Sequence, residues 1–152
     1  MEITEKQLID VKSVLSYRTR VLDSDLRNLV EFVSENIDAL NLNINGNIIF
    51  SVFDTDTAGD LEYLNIEVLV PVSDSFKSNS KYVYKPYFRI ENAVKLRHYG
   101  KYSDLKKSRS LIYEYLEENK LTPITNVYYK VIDNDSSSSV IDLYIGINSN
   151  IL

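Results

Sequence analysis

The sequence predicts an α+β fold: a duplicated β-α-β-β unit in which an antiparallel sheet carries two helices packed on one face. Three observations predict it. Several segments alternate apolar and polar residues with the period of a strand. Two segments place apolar residues at helical spacing. The same element order recurs along the chain, with residues that match at a nearly constant offset.

The elements follow in order. From Ile9 to Leu22, Val11, Ser13, Leu15, Tyr17, Thr19 and Val21 alternate as a strand. Asp23-Ser24-Asp25 offers an N-cap with acids in the first turn. Leu26, Leu29, Val30, Val33, Ile37 and Leu40 then form a helical stripe, which ends in the Asn-rich segment before Gly46. A strand is expected over Asn47–Asp54, a turn over Asp54–Asp60 and a strand over Leu61–Val72. Ser73–Ser80 is polar and reads as a linker. The second copy follows: a strand over Tyr87–Tyr99, a helix over Ser103–Lys120, a strand over Asn126–Asp133, a loop over Asn134–Ser139 and a strand over Val140–Ile147.

A shift of about 79 positions lays Ser24-Asp25-Leu26-Arg27 on Ser103-Asp104-Leu105-Lys106, Phe50 on Tyr129, Val52 on Val131 and Asp54 on Asp133. After a shorter turn the shift is about 75, and Ile66–Val72 lies on Ile141–Ile147. The chain is therefore read as a single domain, residues 1–152, with one repeat near 9–72, a linker near 73–84 and a second repeat near 85–149. Neither repeat is large enough to bury its sheet and helix alone. Strand alternation places Ile66, Val68, Val70, Ile141, Leu143 and Ile145 under the helices, with Ile48, Phe50, Val52, Val127, Tyr129 and Val131. Glu67, Leu69, Ile49, Ser51, Asp142, Tyr144, Tyr128 and Lys130 fall on the opposite, open face.

Composition bounds the function. The 152-residue chain has no cysteine, which excludes disulfides, thiol catalysis and cysteine-ligated metals. A single histidine excludes a two-histidine metal site. A net charge of −5 argues against nucleic acid as a partner. No run of about 18 apolar residues predicts a membrane span, and Met1-Glu2-Ile3-Thr4-Glu5 lacks the apolar core of a signal peptide. A cytoplasmic location is expected, and the abundant Ile, Asn, Lys and Tyr suit a bacterial source. The chain has 12 Tyr and no Trp. Tyrosine combines an apolar ring with a polar tip and suits half-wet pockets.

Three segments resemble the gyrase-inhibitor-like (GyrI-like) effector-binding domains, whose fold is related to the SOUL haem-binding proteins. They are Arg97-His98-Tyr99-Gly100-Lys101-Tyr102-Ser103-Asp104-Leu105, Thr122-Pro123-Ile124-Thr125-Asn126-Val127-Tyr128-Tyr129, and Ile141-Asp142-Leu143-Tyr144-Ile145-Gly146-Ile147. The resemblance implies a cleft between the two copies, lined by aromatics, where a closing-strand carboxylate meets cationic, lipophilic compounds. That carboxylate corresponds to Asp142, with Glu67 as its counterpart in the first copy. The family usually has Glu at the position of Asp142, and often an acid near Lys130, where the charge here is reversed.

The expected function is a stand-alone, non-catalytic small-molecule-binding protein for an amphipathic or cationic effector. The site residues are Asp142, Tyr144, Tyr128, Glu67, Tyr17, Tyr99 and Lys130, with no metal and no cofactor. Lys130 is the residue expected to pair with Asp142 across the hairpin if that face is merely solvated. The copy carrying Tyr128 and Tyr144 is the first place to look for a ligand. The alternative is a protein-interaction module that binds gyrase, a toxin or a secretion-system partner; a third is a hydrolase using the paired acids. His98 reads as a surface residue. Arg18 and Arg97 occupy matching positions and are expected to pair with Asp25 and Asp104. Asp54-x-Asp56 and Asp133-x-Asp135 read as turn residues rather than calcium loops.

Overall fold

In the computed structural model, residues 2–135 and 137–148 are described. Ser136 in the expected loop and Ser149 at the end of the expected second repeat lie outside the described residues. The fold is α+β, as the periodicities predict. Its elements are β1 (Ile3–Leu22), α1 (Leu26–Asp38), β2 (Ile49–Ala58), β3 (Leu61–Pro71), β4 (Val83–Gly100), α2 (Leu105–Glu118), β5 (Tyr128–Asp133) and β6 (Ser139–Gly146). The order strand, helix, strand, strand occurs twice.

The duplication extends to the irregularities. A bulge interrupts β2 between Val52 and Asp54, and a bulge at the matching place interrupts β5 between Val131 and Asp133. The isolated bridge Ile44–Val72 recurs as Pro123–Ile147. Ser13 and Asn92, at matching positions of β1 and β4, both have positive φ, as do Asn41 and Lys120 after the helices. Such backbone features are set by strand path rather than by side-chain identity, so they persist where the residues differ.

Several boundaries differ from the sequence expectation. β1 begins at Ile3 and β4 at Val83, each several residues before the alternating stretch becomes clear. The expected turn Asp54–Asp60 is mostly strand. Thr55 and Thr57 favour extended backbone, and the reversal is confined to Gly59-Asp60, where Gly59 adopts φ +65°. The helices do not start from a side-chain cap. A short 3-10 turn, Asp23–Asp25 or Tyr102–Asp104, leads into each, and neither Asp25 nor Asp104 makes a capping hydrogen bond.

The chain divides into two compact units. One is Val11–Phe88. In it β3 lies between β1 and β2, antiparallel to both. Leu26, Val30, Val33 and Ile37 of α1 are buried, as are Phe50, Ile66, Val68 and Val70. Burying each such side chain contributes roughly 1.5–3 kcal/mol. The other unit combines the chain up to Asp10 with the chain from Arg89 onward. In it β6 lies between β4 and β5. Leu105, Ile112 and Leu116 of α2 are buried, as are Tyr129, Val131, Ile141, Leu143 and Ile145. Burial pushes the Tyr129 phenol up to about 12, as suits a core tyrosine.

Candidate functional site

Each unit carries one acid on its central strand, and the neighbouring strands set its partners. In the unit Val11–Phe88, Glu67 of β3 lies between Arg18 of β1 and Ser51 of β2. Glu67 is 7% exposed. Ser16 Oγ donates to Glu67 Oε2 at 2.5 Å, and Lys85 Nζ donates to the same oxygen at 3.0 Å. Arg18 Nε stands 3.6 Å from it. Burial pushes the Glu67 carboxyl up. The hydrogen bonds from Ser16 and Lys85, with the charges of Lys85 and Arg18, outweigh burial and hold it below the ordinary carboxylate range.

The face bearing Glu67 is not the open sheet surface that alternation predicts. The chain from Ser80 to Lys85 lies beside it. Ser80, Lys81, Val83 and Lys85 join Ser16, Arg18 and Glu67 around a cavity of about 340 Å³. Lys81 Nζ stands over the rings of Tyr17 and Tyr82, 5.7 and 5.4 Å from their centroids. Those rings stack on each other at 5.6 Å. Asn79 Oδ1 accepts hydrogen bonds from the backbone N–H groups of Lys81 and Tyr82, which fixes the turn presenting Lys81.

In the other unit, Asp142 of β6 lies between Arg97 of β4 and Lys130 of β5. It is 2% exposed. Arg97 grips it with both arms of the guanidinium: Nε donates to Oδ1 at 2.7 Å and Nη2 to Oδ2 at 3.0 Å. Lys95 Nζ adds an ion pair at 3.5 Å. The hydrogen bonds to Asp142, then Tyr99, hold the Arg97 guanidinium above its ordinary value. Tyr144 faces Tyr128 two pairs along the same hairpin and is itself buried, not exposed on an open face. Glu2, Thr4, Lys95, Arg97 and Tyr99 line a cavity of about 330 Å³.

The structure thus places the expected residues in two groups. Asp142, Lys130, Tyr128 and Tyr144 share one hairpin, with Tyr99 in β4 of that unit. Glu67 and Tyr17 lie in the other unit, on opposite faces of their strands, since Tyr17 pairs with Val68. Lys130 is in register with Asp142, as expected, but the cations gripping Asp142 are Arg97 and Lys95. Arg18 and Arg97, expected to serve the acids before the helices, lie beside the central-strand acids instead: Arg97 hydrogen-bonds Asp142, and Arg18 stands 3.6 Å from Glu67. The residues that sequence reasoning missed are Ser16, Lys81, Lys85 and Lys95. Strand parity identifies Ser16 and Lys95, each two residues before its arginine; Lys81 arrives in the loop before β4 and Lys85 at the start of β4, ahead of the stretch whose alternation is clear, so neither leaves a periodic signal.

His98 is a further correction. It is 3% exposed, not a surface residue. Nδ1 lies 2.7 Å from Ser108 Oγ of α2 and Nε2 lies 3.0 Å from the Lys101 carbonyl. The carbonyl only accepts, so Nε2 carries hydrogen and Nδ1 accepts from Ser108 in the neutral ring. Both nitrogens are engaged, so the ring ties β4 to α2 and offers no haem or metal ligand. Asp56 lies within β2, not in a turn, and takes a two-armed contact from Arg20. Among the described residues no cluster of three or more His, Asp or Glu side chains is placed to hold a metal ion.

The sequence pattern of one family, DUF5085, a domain of unknown function, matches residues 10–149. The chain belongs to that family. Solved structures show that this DUF5085 chain has a GyrI-like fold. The C-terminal domain of EcmrR is similar, with a TM-score of 0.73 at 16% identity, over 97% of this chain and 99% of that domain. EcmrR in complex with DNA matches with a TM-score of 0.73 at 15% identity, over 96% of this chain; the DUF5085 chain spans 57% of that EcmrR chain. An uncharacterised conserved protein from Listeria innocua matches with a TM-score of 0.52 at 9% identity, over 95% of this chain and 92% of that one. No curated protein matches in sequence. No helix among the described residues is long and apolar enough to cross a membrane.

Proposed function

We propose that the chain is a non-catalytic binding domain for a small amphipathic effector, taken up in the cavity over Glu67. One observation carries this reading: a buried, ionised carboxylate and three cationic side chains converge on a cavity of about 340 Å³, a size ordinary for small-molecule sites. Its polar wall is Ser16, Arg18, Glu67, Lys81 and Lys85, and Val83 supplies apolar surface. The GyrI-like fold, shared with the EcmrR domain, supports a sensing role. Binding fits better than hydrolysis, because a general acid needs a raised pKa and Glu67 is held low. The first repeat, rather than the Tyr128–Tyr144 repeat, is the favoured seat of the ligand, since Asp142 is already gripped by Arg97.

The test is a thermal-shift screen of amphipathic compounds on the wild-type chain and on Val83→Trp. Val83 is half exposed, so the larger ring fills the cavity without entering the core. A compound present at about 100 times its Kd adds about 2.7 kcal/mol by mass action, a shift of several degrees. The expected outcome is hits on the wild type that vanish in Val83→Trp. Hits that persist in the variant, or none from any class, overturn the reading.

A further inference from the structure

We infer that the polar end of the ligand is an oxyanion, a carboxylate or phosphate group, and that Arg18 and Lys81 receive it; this rests on the cavity reading above. The argument begins with charge. The chain as a whole is acidic, at −5, yet the cavity wall carries Arg18, Lys81 and Lys85 against Glu67 alone. Glu67 takes its hydrogen bonds from Lys85 and Ser16. Arg18, two-thirds exposed, stands 3.6 Å from that carboxylate, beyond hydrogen-bonding distance. Lys81 meets only the aromatic rings of Tyr17 and Tyr82 among the described residues. Arg18 and Lys81 thus both line the cavity, and neither spends its side-chain donors on a carboxylate hydrogen bond. Such a cavity attracts anions and repels cations.

The duplication supplies an independent argument. Arg97 is the counterpart of Arg18, and it holds the carboxylate of Asp142 by two parallel N–H donors at 2.7 and 3.0 Å. That is the geometry a guanidinium offers to a carboxylate or phosphate. In the first repeat the acid is the longer Glu67, and its Oε2 is taken by Ser16 and Lys85. The Arg18 fork is left open where its counterpart is closed. The Phe53 ring, brought to the surface at the β2 bulge, lies 5.2 Å from the Arg18 guanidinium and is half exposed. With Val83 it offers apolar surface to a ligand tail beside the charged end.

The experiment is isothermal titration of the full chain with sodium octanoate, octyl phosphate and octyltrimethylammonium, all below their micelle concentrations. The variants are Glu67→Gln, Arg18→Gln and Lys81→Gln. The expected result is that at least one of the two anions binds, at least tenfold more weakly to Arg18→Gln and Lys81→Gln, and as tightly or more tightly to Glu67→Gln. The relative affinity of octanoate and octyl phosphate distinguishes a carboxylate from a phosphate ligand. Binding of octyltrimethylammonium that is lost in Glu67→Gln overturns the inference and leaves the cavity reading standing. Anion binding indifferent to Arg18 and Lys81 overturns it as well. Binding of none of the three probes overturns both. Lys81 is exposed, so its variant folds even where Glu67→Gln does not.

Discussion

Glu67 is a buried acid kept charged by its neighbours, and its protonation is coupled to folding. Its folded pKa lies below its ordinary value of 4.5. A depressed pKa means that the unfolded chain binds the proton more readily. The stabilisation is therefore complete above about 4.5 and is lost as pH falls through the folded value. We expect the Tm of the wild type to fall on acidification from pH 6 to 3, and Glu67→Gln to flatten part of that fall. Thermal melts of both proteins across this range check it; parallel profiles would refute the assignment. Glu67 and Asp142 were legible in the sequence as acids within apolar strands. Their partners were legible only in part: parity along β1 and β4 puts Arg18 and Arg97 on the right face, but not against a particular carboxylate.

The helix ends carry their own constraint. Lys120 follows α2 at φ +55°. The Leu121 N–H reaches the Leu116 carbonyl at 2.8 Å and the Lys120 N–H reaches the Glu117 carbonyl at 3.2 Å, the paired bonds of a left-handed helix end. A side chain with a Cβ is strained in that conformation by about 1–2 kcal/mol. Lys120→Gly is expected to raise stability by about 1 kcal/mol, less the entropy that glycine adds to the unfolded chain. Chemical denaturation of wild type and variant measures it, and an unchanged or lowered midpoint counts against the strain. At the scale of elements the sequence was most readable. Both helices and all strands were placed by period, and errors collected at the ends. There the cue is backbone conformation, as in the 3-10 turns before α1 and α2, where Asp25 and Asp104 looked like caps.

Across the whole molecule, the two repeats share a framework and differ in what their central acids do. Asp142 is gripped by Arg97 and almost fully buried. Glu67 borders a cavity and leaves Arg18 open. Asp142→Asn is therefore expected to lower stability by about 1–3 kcal/mol, the cost of a mispaired buried polar group. It should leave ligand affinity within about twofold, since the cavity over Glu67 lies in the other unit. Arg18→Gln, at the cavity, is expected to lower anion affinity at least tenfold instead. Measuring denaturation midpoints and titrations for Asp142→Asn and Arg18→Gln tests this division; equal effects of the two substitutions on binding would contradict it.

The α+β class, the duplication, the helix-facing rows and the two acids on the central strands are readable from the linear chain. These follow from residue period and from matching offsets, which are local properties of the chain. The folded molecule adds that the face bearing Glu67 is lined by the chain from Ser80 to Lys85, that His98 is buried against Ser108, and that Arg97 closes on Asp142 while Arg18 stays open. Those outcomes depend on where the segment leading into β4 comes to rest and on how the longer Glu67 side chain meets its donors. Both are settled by packing and hydrogen-bond geometry in three dimensions, which residue period does not record.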